Sequence, residues 1–291
     1  MKKKSLVAAI LCLIMVLTFA TPAASAIQLE NVELDSFQSY FAEDVSRATL
    51  QRAAAGYELL EEGQLPVAAV SSIQEKADGT IAYYLDYGGV VDEVIPSRQI
   101  GGILYQITEG SKYNELFVAD NGDFYLNGNL CTVTYDNAPS ITVTPARISQ
   151  NSYWTEDCPY GSSYEYNVYV DTRSVSGIHL EEAIINISLS VFVFVVVRVL
   201  FPGAVEVVSD IYMAFFEAYD GIVKISPYTE SISGFVEIFN HRDAVNDYWI
   251  IQNDDYRMGV QKQVGTIYPE TNYQGTPSSL TLFNWFEYFY D

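Results

Sequence analysis

Apolar residues recur at helical spacing between Ser36 and Glu62, through Phe37, Tyr40, Phe41, Val45, Ala48, Tyr57 and Leu60. Gly63 and Pro66 supply the stop. The pattern predicts an N-terminal helical segment within residues 27–65. Beyond Pro66 the hydrophobic period shortens to two. "TIAYYLDY", "GGILYQIT", "NELFVA", "DFYLNG", "LCTVTY" and "SITVTPARI" read as short antiparallel strands within residues 66–175. Asn121-Gly122 and Asn127-Gly128 mark hairpin turns, because Asn and Gly tolerate positive φ. Residues 222–291 return to the same pattern, with "IVKISPYT", "SGFVEIFN", "DYWIIQND", "YRMGVQKQVGTIY" and "SLTLFNWFEYFY" as five further strands or strand pieces.

Between the two β regions lies an apolar block. Ala183 to Phe201 is 19 residues, of which 14 are Leu, Ile, Val or Phe. A strand of that length is beyond the usual range, so the block reads as a helix. Glu182, Asn186, Ser190, Phe194 and Arg198 then fall at successive i+4 steps, a mostly polar stripe on an apolar cylinder. Pro202-Gly203 breaks the run. A second helix follows, with Glu206, Asp210 and Glu217 on one face. The expected fold is therefore α+β, with antiparallel β regions packed around a central hydrophobic αα-hairpin at 176–221, and an N-terminal helix. Ile184, Val191, Phe192, Phe194 and Val197 form the apolar surface of the first hairpin helix. Arg198 and Glu206, equidistant from the turn at Pro202-Gly203, are expected to pair, with Asp210 one turn further on.

Three roles are open to such a hairpin. It is long enough in its first helix to span a bilayer. It could be a conditional membrane-active element, released when low pH or a receptor neutralises the acidic second helix. It could also be permanent core. The polar stripes ask for protein neighbours and make a permanent span the weakest of the three.

The first 26 residues are a separate object. Lys2, Lys3 and Lys4 precede an apolar run, and Ala24-Ser25-Ala26 is a small-x-small cleavage signal. Cleavage after Ala26 removes three lysines and no acids, taking the formal charge from −22 to −25 over the remaining 265 residues. The expected localisation is secreted. So acidic a chain lacks the basic footprint of a nucleic-acid binder, and of a cationic membrane-active peptide. Cys131 and Cys158 remain after cleavage, an even pair in an exported chain, and are expected to form a disulfide.

Chemistry is sparse. The sequence contains no G-x-S-x-G elbow, P-loop, dinucleotide Gly motif or H-E-x-x-H. His179 and His241 read as capping or surface residues rather than zinc ligands. "DNGD" at Asp120–Asp123 and "NDD" at Asn253–Asp255 read as turns rather than Ca²⁺ loops. No catalytic residue, cofactor or metal is expected. The tyrosines, 23 in number, read chiefly as strand and core residues.

An export signal, then "CPYGSSYEYNVYV" from Cys158, an apolar helical block and a Tyr-rich β tail together resemble the geobacillin-type secreted bacteriocin-like proteins of Gram-positive bacteria. The resemblance covers roughly Asp157 to Asp291. It implies an exported, non-enzymatic protein that antagonises neighbouring bacteria, and it carries over no functional residue. The leading expectation is a bacteriocin-like protein acting on a target-cell membrane through its hairpin. The alternative is an extracellular binding or structural module that contacts an envelope protein and keeps the hairpin as core. A hydrolase with a buried carboxylate pair in a cleft is the third.

Overall fold

A computed structural model describes residues 34, 36–135, 155–157, 163–201, 209–241, 249–252 and 256–289. The leader, "SITVTPARI", Cys158, Pro202, Gly203, Glu206 and Asn253–Asp255 lie outside the described residues.

The β pattern after Pro66 becomes one meander. Strands β1 (Val70–Glu75), β2 (Ile81–Asp86), β3 (Val91–Gln99), β4 (Gly102–Glu109), β5 (Lys112–Ala119), β6 (Phe124–Leu126) and β7 (Asn129–Leu130) pair in sequence order, each antiparallel to the next. Asn127 and Gly128, at φ 51° and 83°, form the two-residue turn between β6 and β7. Asn121 Oδ1 accepts from Asp123 N–H at 3.0 Å, so Asp120–Asp123 closes the β5–β6 connection as a turn. Alternation divides most of the sheet into two faces. Tyr83, Leu85, Asp92, Val94, Tyr105, Ile107, Asn114 and Leu116 face inward and are buried, while their chain neighbours are more exposed, Ala82 excepted.

The second sheet follows the order β12-β13-β11-β10-β8, with β14 added beside β13 and β9 beside β10. Its strands are β8 (Thr132–Tyr135), β9 (Thr155–Asp157), β10 (Ser163–His179), β11 (Ser231–His241), β12 (Trp249–Gln252), β13 (Tyr256–Tyr268) and β14 (Ser278–Phe289). His179 sits opposite Ser231 in the β10–β11 ladder, with its Nδ1 2.8 Å from the Ser231 hydroxyl.

Three longer helices accompany the sheets. Helix α1 spans Arg47–Glu62, later than its apolar pattern suggests, because the Ser46 hydroxyl caps it by accepting from Thr49 N–H at 3.1 Å. It docks on the inward face of the first sheet through two tyrosines. Tyr83 Oη donates to the Ala53 carbonyl and Tyr105 Oη to the Leu59 carbonyl, each at 2.5 Å. Gly56 and Gly63 permit this approach, since a Cβ at either would collide with one of those two hydroxyls. Both tyrosines are fully buried and cannot swing aside. Gly56→Ala and Gly63→Ala are each expected to cost about 1–3 kcal/mol of stability, read by urea denaturation.

Helix α2 spans Leu189–Leu200 and helix α3 spans Ser209–Ile225. Here the expected fold class is corrected. The chain is β-rich, built of two antiparallel sheets, and no central αα-hairpin organises it. Helix α2 is buried against both sheets rather than paired mainly with α3. Its Phe194 ring meets Phe124 of the first sheet at 5.4 Å, and Leu200 lies against Gly234 of β11. Helix α3 instead runs along β14, and it takes in Ile222–Ile225, where "IVKISPYT" is expected to begin a strand.

The first apolar helix is also shorter than expected. Ile184–Asn186 is a 3₁₀ turn, and Ile187 and Ser188 are extended, so α2 has 12 residues rather than 19. At 1.5 Å per residue it is about 18 Å long, against a hydrocarbon core of about 30 Å. No described helix is long and apolar enough to cross a membrane.

Candidate functional site

Helix α2 is rich in β-branched residues and intrinsically poor at forming a helix. Burial compensates for this. From Leu189 to Val196 every residue is at most 1% exposed, all round the cylinder. Ile184, Val191, Phe192, Phe194 and Val197, expected as the membrane-active surface, are all buried. A buried helix must still satisfy the orphan N–H groups of its first turn. Its Ser188 N-cap gives no side-chain cap bond, and the first sheet does the work instead. Asn114 Oδ1 accepts from Ser188 N–H, Glu109 Oε2 from Leu189 N–H, and Asp92 Oδ2 from Ser190 N–H, each at 2.7 Å. Three consecutive amides are thus capped by three strands, and two of the caps are carboxylates at the positive end of the helix dipole.

Sheet register explains the arrangement. Glu93 pairs with Thr108, which brings Asp92 opposite Glu109, and Glu109 pairs with Lys112. Asp92, Glu109 and Lys112 therefore form the last inward-facing row across β3, β4 and β5, with Asn114 one row in. Lys112 Nζ donates to Glu109 Oε1 at 2.5 Å, to Tyr219 Oη at 2.7 Å and to the Ile187 carbonyl at 3.2 Å. Tyr219 Oη donates in turn to the Ile187 carbonyl at 2.8 Å. This ties α3, the 187–188 bend and the sheet together. Tyr87 and Ser190 share a hydrogen bond between their hydroxyls at 2.7 Å.

The electrostatics follow the burial. Asp92 is wholly buried, which pushes its carboxyl up to about 7. The Ser190 N–H opposes that shift, and the facing Glu109 carboxylate reinforces it. Burial pulls Lys112 down, but Glu109 and Tyr219 outweigh it and hold the ammonium above its usual range. Tyr87 is pushed well up by burial and by the Asp92 charge. Lys112→Met removes the cation of this row and is expected to cost about 1.5–3 kcal/mol, read by chemical denaturation at pH 7.

The far end of α2 is held differently. Arg198, in the last turn, donates to the Gly122 carbonyl at 3.0 Å and to Gln64 Oε1 at 3.3 Å, and lies over the Phe194 ring at 5.6 Å. Its expected partner Glu206 lies outside the described residues, as do Pro202, Gly203 and the side chain of Asp210. Cys131 is buried, its thiol pushed up to about 12 by that burial, and Cys158 lies outside the described residues.

The structure thus gathers residues that pattern reading did not single out, namely Asp92, Glu109, Asn114, Lys112, Tyr87 and Tyr219. Their only sequence signal is acidic and amide residues at inward positions of strands that are otherwise apolar there. They face the first turn of α2. Two surface clefts lie elsewhere, one beside Leu34, Phe37 and Tyr57, the other beside Phe124, Tyr135 and Arg198, and neither is lined by Asp92 or Glu109. What this arrangement does chemically is to fix α2 and store charge beneath it. No family model, curated protein or solved structure matches the chain.

Proposed function

We propose that this chain is an exported, non-enzymatic binding or structural module in which α2 is permanent core. The observation that carries the reading is the burial of Leu189–Val197 on every side of α2, with both ends of the helix held by polar groups of the first sheet. A helix stored for release would need one weakly held face, and Leu189–Val196 offers none. The carboxylate pair at Asp92 and Glu109 lies under the first turn of α2 and lines neither of the two clefts described above, which counts against the hydrolase reading.

Acid does not help to free α2 by this route. Protonation of Asp92 relieves the buried charge while leaving an oxygen to accept from Ser190 N–H. Glu217 is exposed, so neutralising it removes little that opposes release. Binding would fall to the outward face of the first sheet. There Leu104, Phe117, Tyr125 and the half-exposed Leu130 form one cross-strand row, with the Phe117 and Tyr125 rings 6.0 Å apart.

Dye release from vesicles of zwitterionic and anionic lipid, followed from pH 7 to pH 4.5, tests the reading. No leakage above the buffer control is expected at any pH. Leakage in acid would overturn it in favour of a membrane-active helix.

A further inference from the structure

We propose that Asp92 and Glu109 hold one proton between them, and that this proton is a pH-sensitive latch on the N-terminus of α2, closed in acidic solution and released as pH rises through neutrality. The latch rests on α2 being core, and goes beyond that reading by assigning it a regulated state.

Charge counting gives the proton. Asp92 from β3 and Glu109 from β4 face each other, and Lys112 from β5 is the cation bonded to Glu109. Among the described side chains, the other groups packed on the site are uncharged at neutral pH. They are Tyr87 from the β2–β3 connection, Asn114 from β5, Ser188 and Ser190 at the start of α2, and Tyr212 and Tyr219 from α3. Two carboxylates against one ammonium leave a net negative charge beneath a wholly buried residue, and one proton removes it.

Hydrogen bonding points the same way. Asp92 Oδ2 and Glu109 Oε2 accept from backbone amides, and Glu109 Oε1 accepts from Lys112. Asp92 Oδ1 is buried and has no partner among the described residues. A bare carboxylate oxygen there carries the full cost of lost hydration, whereas a proton on it can be donated to Glu109. The pair then satisfies the cap and itself together. Once the proton leaves, two like charges face each other under the first turn of α2.

The sign follows. The folded-state affinity of Asp92 for its proton exceeds that of the unfolded chain, so the stabilisation is complete below the ordinary aspartate pKa of about 4 and is lost as pH rises through about 7. Glu75, Asp78 and Glu93, all held below their usual values, act in the opposite sense and only in more acidic solution. Glu237, raised by burial, acts in the same sense as Asp92, and a comparison of two chains that both carry it cancels its contribution.

Urea unfolding of the full chain and of Asp92→Asn from pH 5 to pH 8.5 tests the latch. Asn mimics the protonated acid, with an oxygen for Ser190 N–H and an N–H for Glu109. The unfolding constant of the wild type, divided by that of Asp92→Asn, is expected to rise about tenfold per pH unit up to pH 7 and then level off. A ratio that stays constant across the range would overturn the proposal.

Should Asp92→Asn fail to fold, carbon NMR of the wild type labelled at the aspartate carboxyls decides. One aspartate is expected to titrate near pH 7, and to move to lower pH in Glu109→Gln. Titration of every aspartate below about pH 5 would overturn the latch. Vesicle leakage would sink the core reading without altering this proton count, so the two fail separately.

Discussion

Val195→Asp is expected to leave the chain unfolded or aggregated, while Met213→Asp changes stability by no more than about 0.5 kcal/mol. Val195 is 1% exposed and sits mid-helix in α2, away from both polar ends. A carboxylate there finds neither water nor a cation, and the cost of an unpaired buried charge is several kcal/mol. Domains of ordinary stability have only about 5–15 kcal/mol in total. Met213 on α3 is 43% exposed, so the same charge remains hydrated there. The comparison is read by soluble yield and circular dichroism. A folded Val195→Asp chain would mean that α2 has a face open to solvent.

Phe194→Ala is expected to cost about 3–5 kcal/mol. Three losses coincide at this ring: its burial, its edge contact with Phe124 at 5.4 Å, and the seat it provides for Arg198. The aromatic pair alone contributes about 0.5–1.5 kcal/mol beyond area burial. For a chain of this size the change corresponds to a fall in Tm of about 10 °C, since each kcal/mol shifts the midpoint by about 2–4 °C. Phe194→Leu, which keeps most of the volume, is expected to lose less than half as much. Equal losses in the two variants would mean that the ring packs loosely and that α2 is less tightly held than its burial implies.

Local rules carried the reading of the meander. Strand alternation and turn chemistry act within a few residues, so the first sheet and the positive φ at Asn127 and Gly128 were both legible. The end of α1 at Gly63 was legible for the same reason. The start of α2 was not, because Ser188 uses no local cap. Its amides are satisfied by side chains 74 to 98 residues earlier in the chain. The same distance hides the role of Ser190, which by spacing alone belongs to a continuous polar stripe. Glu182 and Asn186 precede the helix, and Ser190 answers to Tyr87 and Asp92. Pattern alone gave two adjacent apolar helical runs, and nothing in it could reveal that each would pack chiefly against sheets. The buried row Asp92–Glu109–Lys112 depends on register across three strands, which only the assembled sheet defines.

Amide hydrogen exchange across α2, with vesicles present and absent, tests most directly whether this helix is permanent core. The account predicts that amides from Phe192 to Leu200 exchange only with global unfolding, as slowly as those of β4, and that vesicles at pH 4.5 leave them unchanged. Exchange of α2 through an opening that spares β4, or its acceleration by vesicles, would contradict the account.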